Sequence, residues 1–203
     1  MIAHRLINTI VFKGRKIKLN LKYDAVLRVF ELQKDKLFSD SEKIDMSLCM
    51  LTKHCPRLLP SDKVELFKIL FDQHIMAGKK RGESGEKSVD FQQDAAYIYS
   101  SFLMDYGIDL QKEQGRMDWR VFIALFQGLS ERTKIREVMQ IRTRKLPSPN
   151  KYNADEIEAI REAKQYYALE VSEEEAEQQF QKGLAKLAQT LGGLAANNGK
   201  RND

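Results

Sequence analysis

The hydrophobic period that sets the architecture changes within residues 7–30, which read INTIVFKGRKIKLNLKYDAVLRVF. Apolar and polar residues first alternate on both sides of a lysine-glycine-arginine turn, which predicts a β-hairpin with strands at about residues 7–12 and 16–22. After Asp24, a residue type that favours N-caps, the apolar residues recur at helical spacing as far as Leu37. A hairpin that leads directly into a helix is therefore predicted at the N-terminus.

Helical patterns occupy the rest of the chain. Ser39 and Glu42 have the spacing of a capping box and predict a helix at about residues 41–54. The predicted N-terminal residues of later helices are Ser61, Asp90, Ser130, Asn153 and Ser172. A further helix, which contains Trp119, ends at Gly128. The predicted fold class is mainly α, with the N-terminal β-hairpin followed by a helical bundle of about six to eight helices.

The composition is that of a folded, water-soluble chain. Of the 203 residues, 42% are hydrophobic and 31% are charged, which excludes a wholly disordered chain. Two cysteines, four prolines and eleven glycines exclude a disulfide-dense scaffold and a collagen-like chain. No apolar run approaches the ~20 residues that span a bilayer, and the N-terminus lacks the apolar stretch of a secretory signal. We therefore expect a globular cytoplasmic protein without a membrane partner.

Charge divides the chain into three segments. Residues 1–37, predicted to be the hairpin and first helix packed on the core, contain nine basic and three acidic residues. Residues 38–149 are the predicted helical core. Residues 150–203, the predicted acidic C-terminal helices with a loose tail, contain seven basic and ten acidic residues. The net charge of +5 therefore hides ends of opposite sign, a pattern that favours protein binding and self-association over nucleic-acid binding.

Residue types with catalytic or metal-binding chemistry are scattered. Cys49 and Cys55 lie six positions apart without a second pair, so the spacing does not fit a zinc site, and Cys49 is predicted to be a buried core thiol. Residues 78–82 hold glycines and basic residues, but they follow a helix instead of the strand that a phosphate loop requires. We predict no catalytic, cofactor-binding or metal-binding residues, and a protein that is not an enzyme.

One segment supports a nucleic-acid alternative. Residues 124–130, ALFQGLS, resemble the turn of a helix-turn-helix. The basic residues that follow it are Arg132, Lys134, Arg136, Arg142, Arg144 and Lys145. Against DNA binding, Glu131 and Glu137 would direct acidic groups toward the phosphates. A DNA-binding regulator is thus the alternative to a helical hairpin whose basic face is solvated or meets an acidic partner.

Three stretches carry a resemblance to a known family: residues 90–110, DFQQDAAYIYSSFLMDYGIDL; residues 117–130, MDWRVFIALFQGLS; and residues 141–147, IRTRKLP. They resemble proteins of tailed bacteriophages and prophages of Gram-positive bacteria, encoded between the genes of the major tail protein and the tape measure protein. By gene position, this family is similar to the second of the paired tail assembly chaperones. The hairpin that leads into a helix also looks like the start of such proteins.

The resemblance implies a non-enzymatic tail morphogenesis factor that acts in the host bacterial cytoplasm. Its implied partners are the tape measure protein and the tail tube protein. A companion tail assembly chaperone and further copies of the chain are additional expected partners, and no cofactor is implied. A structural tail or head–tail component is a further alternative.

Two sets of residues are predicted to bind partners. The first is an apolar stripe on the last predicted helix, for which docking on the chain's own core is the alternative. It consists of Phe180, Leu184, Leu187 and Leu191. The second is a basic set that would meet acidic helices of a partner. It consists of Arg142, Arg144 and Lys145.

Overall fold

The computed structural model describes residues 6–76 and 88–170, and the contact pattern divides the chain between Tyr167 and Ala168. The elements all belong to the first unit. They are the strands β1 (Thr9–Phe12) and β2 (Arg15–Lys18) and the helices α1 (Tyr23–Lys34), α2 (Asp40–Leu51), α3 (Pro60–Leu70), α4 (Ala95–Tyr106), α5 (Trp119–Gln127), α6 (Lys134–Thr143) and α7 (Ala154–Tyr166). A π-helical turn, Phe71–Ile75, continues α3. The predicted class, mainly α with an N-terminal hairpin, is confirmed.

The hairpin closes through a two-residue loop. Lys13 and Gly14 both have positive φ, 47° and 75°, which matches the right-handed twist of the flanking strands. Strand pairing places Phe12 opposite Arg15, and the ladder ends where Thr9 meets Lys18. Both strands are shorter than the alternating pattern predicts.

Beyond Lys18, only Leu19 still bonds across the hairpin, to the carbonyl of Asn8, and the rest of the predicted second strand pairs with other parts of the chain. Leu19 forms a bridge with Thr52, at the end of α2. Two residues later, the carbonyl of Leu21 accepts a hydrogen bond of 2.7 Å from the backbone N–H of Trp119. Alternation therefore predicted burial correctly, but it could not predict which backbone these residues would meet.

Helix α1 begins before Asp24 and ends before Leu37. Its first N–H group, that of Tyr23, donates to the carbonyl of Met117, so the predicted cap is not needed. The carboxylate of Asp24 accepts instead from the backbone N–H of Gly115, at 2.9 Å. The helix ends at Lys34, and Leu37 is 88% exposed, so its predicted place on the apolar face is wrong.

The capping box of α2 is confirmed. The backbone N–H of Ser39 donates to the carboxylate of Glu42, and the Ser39 hydroxyl accepts from the Glu42 N–H. Helix α3 begins at Pro60, one residue before the predicted cap Ser61. Proline has no N–H to satisfy, so it is favoured at the first helical position.

Two later helices also begin further along than predicted. Ser130 is not the N-cap of α6, because its N–H and hydroxyl donate to Asp105 at 2.6 and 2.9 Å, and α6 begins after Thr133. Asp90 accepts from two following N–H groups in a preceding turn, and α4 begins only after Asp94. The helix predicted to start at Ser172 lies outside the described residues.

The core is built around an aromatic cluster. The ring of Phe122 stacks on Tyr23 and Phe102, both at 5.1 Å between centroids, and on Trp119 at 5.5 Å. The indole N–H of Trp119 donates to the carbonyl of Ile75 at 2.9 Å, so the one polar atom of the buried ring is satisfied. This cluster joins α1, α4 and α5, and the π-helical turn is attached to it through Trp119.

The two cysteines contradict the prediction of a buried core thiol. Cys49 is exposed on α2 and forms a disulfide with Cys55, which is also exposed. The apolar residues of that stretch, Leu48 and Leu51, take the core positions. Helical spacing assigned Cys49 to the wrong face because its neighbour Leu48 carries the apolar pattern.

Candidate protein-binding surfaces

A groove of about 370 Å³ opens between α1, α4 and the turn that follows α4. Its lining is mostly aromatic and aliphatic, with two small residues on α4 and two glutamines. The lining residues are Tyr23, Leu27, Phe91, Ala95, Ala96, Ile98, Tyr99, Leu110, Gln111, Gln114 and Phe122. The groove therefore offers an apolar floor, low walls at the alanines and an amide rim.

Local backbone conformation places the walls of the groove. Gly107 ends α4 in the left-handed conformation, φ 65°, and its N–H donates to the carbonyl of Leu103 at 3.0 Å. The chain then turns back over α1, and the carboxylate of Asp109 accepts from the N–H of Gln111 at 3.1 Å. Gly115, at φ 70°, completes the turn. A left-handed glycine at each end of residues 107–115 thus brings Leu110 over the aromatic cluster.

Tyr23 connects the floor of the groove to its rim. Its hydroxyl donates to the carbonyl of Leu110, and burial, with the negative charges of Asp24, Glu113 and Asp109, raises the pKa of Tyr23 to about 12. The phenol is therefore a neutral hydrogen-bond donor across the physiological pH range. The arrangement fixes the turn in place and supplies no general base, so the groove is suited to binding apolar side chains.

A buried ion pair connects α6 and α7 with the segment that precedes α4. Arg142 donates to both carboxylate oxygens of Asp94, at 2.6 and 2.8 Å, and their side chains are 7% and 0% exposed. The same guanidinium donates to the carbonyls of Ser88 and Tyr167. Arg142 therefore links the ends of α6 and α7 to the segment before α4, and its donors are occupied within the chain.

The other predicted partner-binding residues are placed differently. Arg144 is exposed and pairs with Glu156 at 3.0 Å, and Lys145 is exposed. The apolar stripe lies outside the described residues. It consists of Phe180, Leu184, Leu187 and Leu191. Partner binding by Arg144, Lys145 and this stripe stays a prediction, while the structure gives Arg142 an internal role.

The helix-turn-helix-like segment uses part of its positive charge internally. Arg136 donates to the carbonyls of Gln127 and Leu129, both at 3.1 Å, and so satisfies the C-terminal end of α5. At Gly128, a Cβ would lie 3.1 Å from the hydroxyl of Tyr106, which is a tight contact between α5 and α4. Lys134 pairs with Glu137. Arg136 and Lys134 therefore have contacts within the chain, whereas Arg132, Arg144 and Lys145 are exposed. DNA binding by this segment stays a prediction.

The hairpin is the second surface, and one arginine anchors its base. Arg120 donates to both oxygens of Asp118, to the side chain of Asn8 and to the carbonyl of Ile7 at 3.1 Å. Burial works to raise the pKa of Asp118, but the hydrogen bonds and charge of Arg120 outweigh it and hold that pKa below its ordinary value. At the other end, Lys13 pairs with Asp62 and Glu65. Both ends of the hairpin are therefore fixed to the helices.

The sequence predicted the basic hairpin but not the groove. The adjacent small residues Ala95 and Ala96, among aromatic positions, were a signal for the groove, because small side chains on a helix leave space at its surface. Within residues 6–76 and 88–170, no group of three or more His, Cys, Asp or Glu side chains is placed to hold a metal ion. No helix in those ranges is long and apolar enough to cross a membrane.

Comparison with known proteins identifies one related family. A family model described as "Bacteriophage Gp15 protein" matches residues 2–169. The match includes the hairpin, the groove and the buried ion pair, and it ends before the predicted apolar stripe. No curated protein and no solved structure matches the chain.

Proposed function

The chain belongs to the Bacteriophage Gp15 protein family, and on that premise we propose that it is a non-enzymatic tail morphogenesis factor of the tail assembly chaperone type. In this role it binds the tape measure protein in the host bacterial cytoplasm and releases it when tail tube subunits arrive. A long helical protein with apolar stretches needs such cover, because exposed apolar surface aggregates before assembly.

The groove beside α4 is the observation that carries this proposal. Its apolar floor and low alanine walls suit the ridge of a partner helix, which would insert apolar side chains at successive turns. Its volume of about 370 Å³ lies near the lower end of the ~300–1,000 Å³ of pockets that bury small ligands. The groove is therefore sized for one or two large side chains of a partner helix.

A small contact of this kind also fits a factor that must leave. Protein interfaces that bury less than about 1,200 Å² in total are typically weak and transient. The rigid floor adds specificity, because Phe122, Tyr23 and Phe91 are held by their ring contacts and need not reorganise on binding. A preformed binding surface of limited area can therefore recognise a specific partner and still release it.

Co-expression with the tape measure protein tests the proposal. The natural chain is expected to raise the soluble fraction of the tape measure protein, and Ala95→Leu, which fills the groove, to lower it toward the level without this chain. Ala159→Leu, on an exposed face of α7, is the matched control and should retain full effect. If Ala95→Leu solubilises the tape measure protein as well as the natural chain does, the groove is not the binding site. Recovery of the chain from purified virions would instead indicate a structural tail component.

A further inference from the structure

Strand β1 has an open edge. The N–H of Leu19 donates to the carbonyl of Asn8 at 2.9 Å, so Asn8 faces β2. In an antiparallel ladder the hydrogen-bonding direction alternates, so Ile10 and Phe12 also face β2, whereas Thr9 and Val11 direct their N–H and C=O groups outward. No residue in the described part of the chain bonds those outward groups. The backbone N–H and C=O groups of Thr9 and Val11 are therefore available to another strand.

The open edge lacks the features that usually protect one. Natural edge strands carry lysine, proline or a bulge, but β1 reads TIVF and has no charge. Val11 is 74% exposed and Ile7 is 72% exposed. The lysines lie on the inner strand β2, whose other side is partly covered, because the N–H of Lys53 donates to the carbonyl of Lys18. The uncovered strand is thus the apolar one.

The charge of the hairpin indicates which kind of strand would bind at its open edge. Residues 7–22 contain five basic residues and no acidic residue. Among the described residues, no carboxylate pairs with Arg15, Lys16 or Lys18, and all three are exposed. On the solvent face Val11 lies opposite Lys16, so a side chain added beside Val11 would stand about 10 Å from Lys16, two strand spacings away. Glutamate and lysine side chains can approach each other over that distance.

We propose that the open edge of β1 binds an extended acidic segment of a partner protein by strand addition. In an antiparallel arrangement the acidic side chains of the partner lie opposite Thr9 and Val11, on the same face of the sheet as Lys18 and Lys16. Apolar side chains alternate with the acidic ones along the partner strand. A second copy of β1 fits less well, because it would bring two basic hairpins together. This site is separate from the groove and does not depend on the proposed function.

The edge is preorganised for such a partner. Arg120 holds the start of the hairpin through the carbonyl of Ile7 and the side chain of Asn8, and Lys13 holds its tip through Asp62 and Glu65. A partner strand therefore meets backbone groups that are already in line, and the chain loses little conformational entropy on binding.

The test uses a labelled synthetic peptide of alternating glutamate and valine and the full-length chain, with binding measured by fluorescence anisotropy. We expect saturable binding that weakens as salt is added, and no binding of the matching lysine–valine peptide. Val11→Pro removes an outward N–H that the hairpin does not use, so the fold should persist while affinity falls by about tenfold. Val11→Thr keeps the N–H and should bind like the natural chain.

Modified peptides keep the test independent of folding. N-methylation of the glutamates, whose N–H groups would face β1 in the antiparallel arrangement, should abolish binding, and N-methylation of the valines should not. Equal binding of both methylated peptides, or natural affinity in a folded Val11→Pro variant, would overturn the proposal. So would a dimer of the natural chain that Val11→Pro converts to a monomer, because a second copy would then occupy the edge.

Discussion

The groove and the hairpin differ in what holds them in shape. The groove is formed by the aromatic cluster around Phe122, so its walls are part of the hydrophobic core. The hairpin is a two-stranded sheet, which is marginal alone. One face of it, with Phe12, packs on the core, and polar contacts of Arg120 and Lys13 hold its two ends to the helices. Mutations and changes of pH should therefore affect the stability of the two surfaces separately.

The largest expected effect is at the floor of the groove. Phe122→Ala removes a fully buried ring and should lower the free energy of unfolding by about 3–5 kcal/mol, measured by urea denaturation. Val11→Ala, at the exposed edge of the hairpin, is the matched truncation and should change it by less than about 0.5 kcal/mol. Similar losses for the two variants would show that the hairpin is as much a part of the core as the groove is.

The buried ion pair should have nearly as large an effect. Asp94→Asn leaves the guanidinium of Arg142 buried without its counter-charge and should cost about 3 kcal/mol in thermal or urea unfolding. Arg144→Met breaks the exposed pair with Glu156 and should cost less than about 1 kcal/mol. If Asp94→Asn leaves the free energy of unfolding unchanged, the link between α6, α7 and the start of α4 is not maintained in solution.

Loss of the hairpin anchor should be smaller and local. Arg120→Lys cannot make the forked contacts to Asp118 and Asn8, and we expect a loss of about 1.5–3 kcal/mol. Hydrogen exchange should accelerate in β1 and β2 while the amides of α4 keep their protection. Arg116→Lys, at an exposed side chain, is the control. Uniform acceleration throughout the chain would contradict an anchor that serves the hairpin alone.

The smallest predicted effects separate the surfaces by pH. The pKa of Tyr23 is raised to about 12, so its contribution to stability is complete below its unfolded-state pKa of ~10 and is lost as pH rises through about 12. The pKa of Asp118 is lowered, so its contribution is present above its unfolded-state pKa of ~3.9 and is lost as pH falls through the lower folded-state pKa. Thermal unfolding should be less alkali-sensitive in Tyr23→Phe and less acid-sensitive in Asp118→Asn. If Tyr23→Phe instead reduced only the acid sensitivity, or Asp118→Asn only the alkali sensitivity, these residues would not be the source of the pH dependence.

Local sequence signals predicted the parts of the fold that depend on neighbouring residues. The Ser39–Glu42 capping box and the glycine turn of the hairpin were predicted correctly, because each is complete within four residues. The helical period likewise identified the helix that contains Trp119 and ends at Gly128, which is α5. Such features are specified by backbone preference and hydrophobic period alone.

Features that depend on distant segments could not be predicted in this way. Arg142 was placed on a basic surface because its neighbours are basic, yet it is buried against Asp94, which is 48 positions away in sequence. The groove required knowledge of how the turn after Gly107 lies over α1. Neither of these long-range contacts produces a periodic sequence pattern, because hydrophobic periodicity indicates which face of an element is buried and not which segment covers it.

Site-specific photo-crosslinking during phage production can show whether the groove binds the tape measure protein. A photoreactive amino acid at Gln114, on the rim of the groove, should give a crosslinked product that contains the tape measure protein. The same amino acid at Ala159, on the exposed side of α7, should not. A tape measure crosslink from Ala159 and none from Gln114 would contradict the account and move the binding site away from the groove.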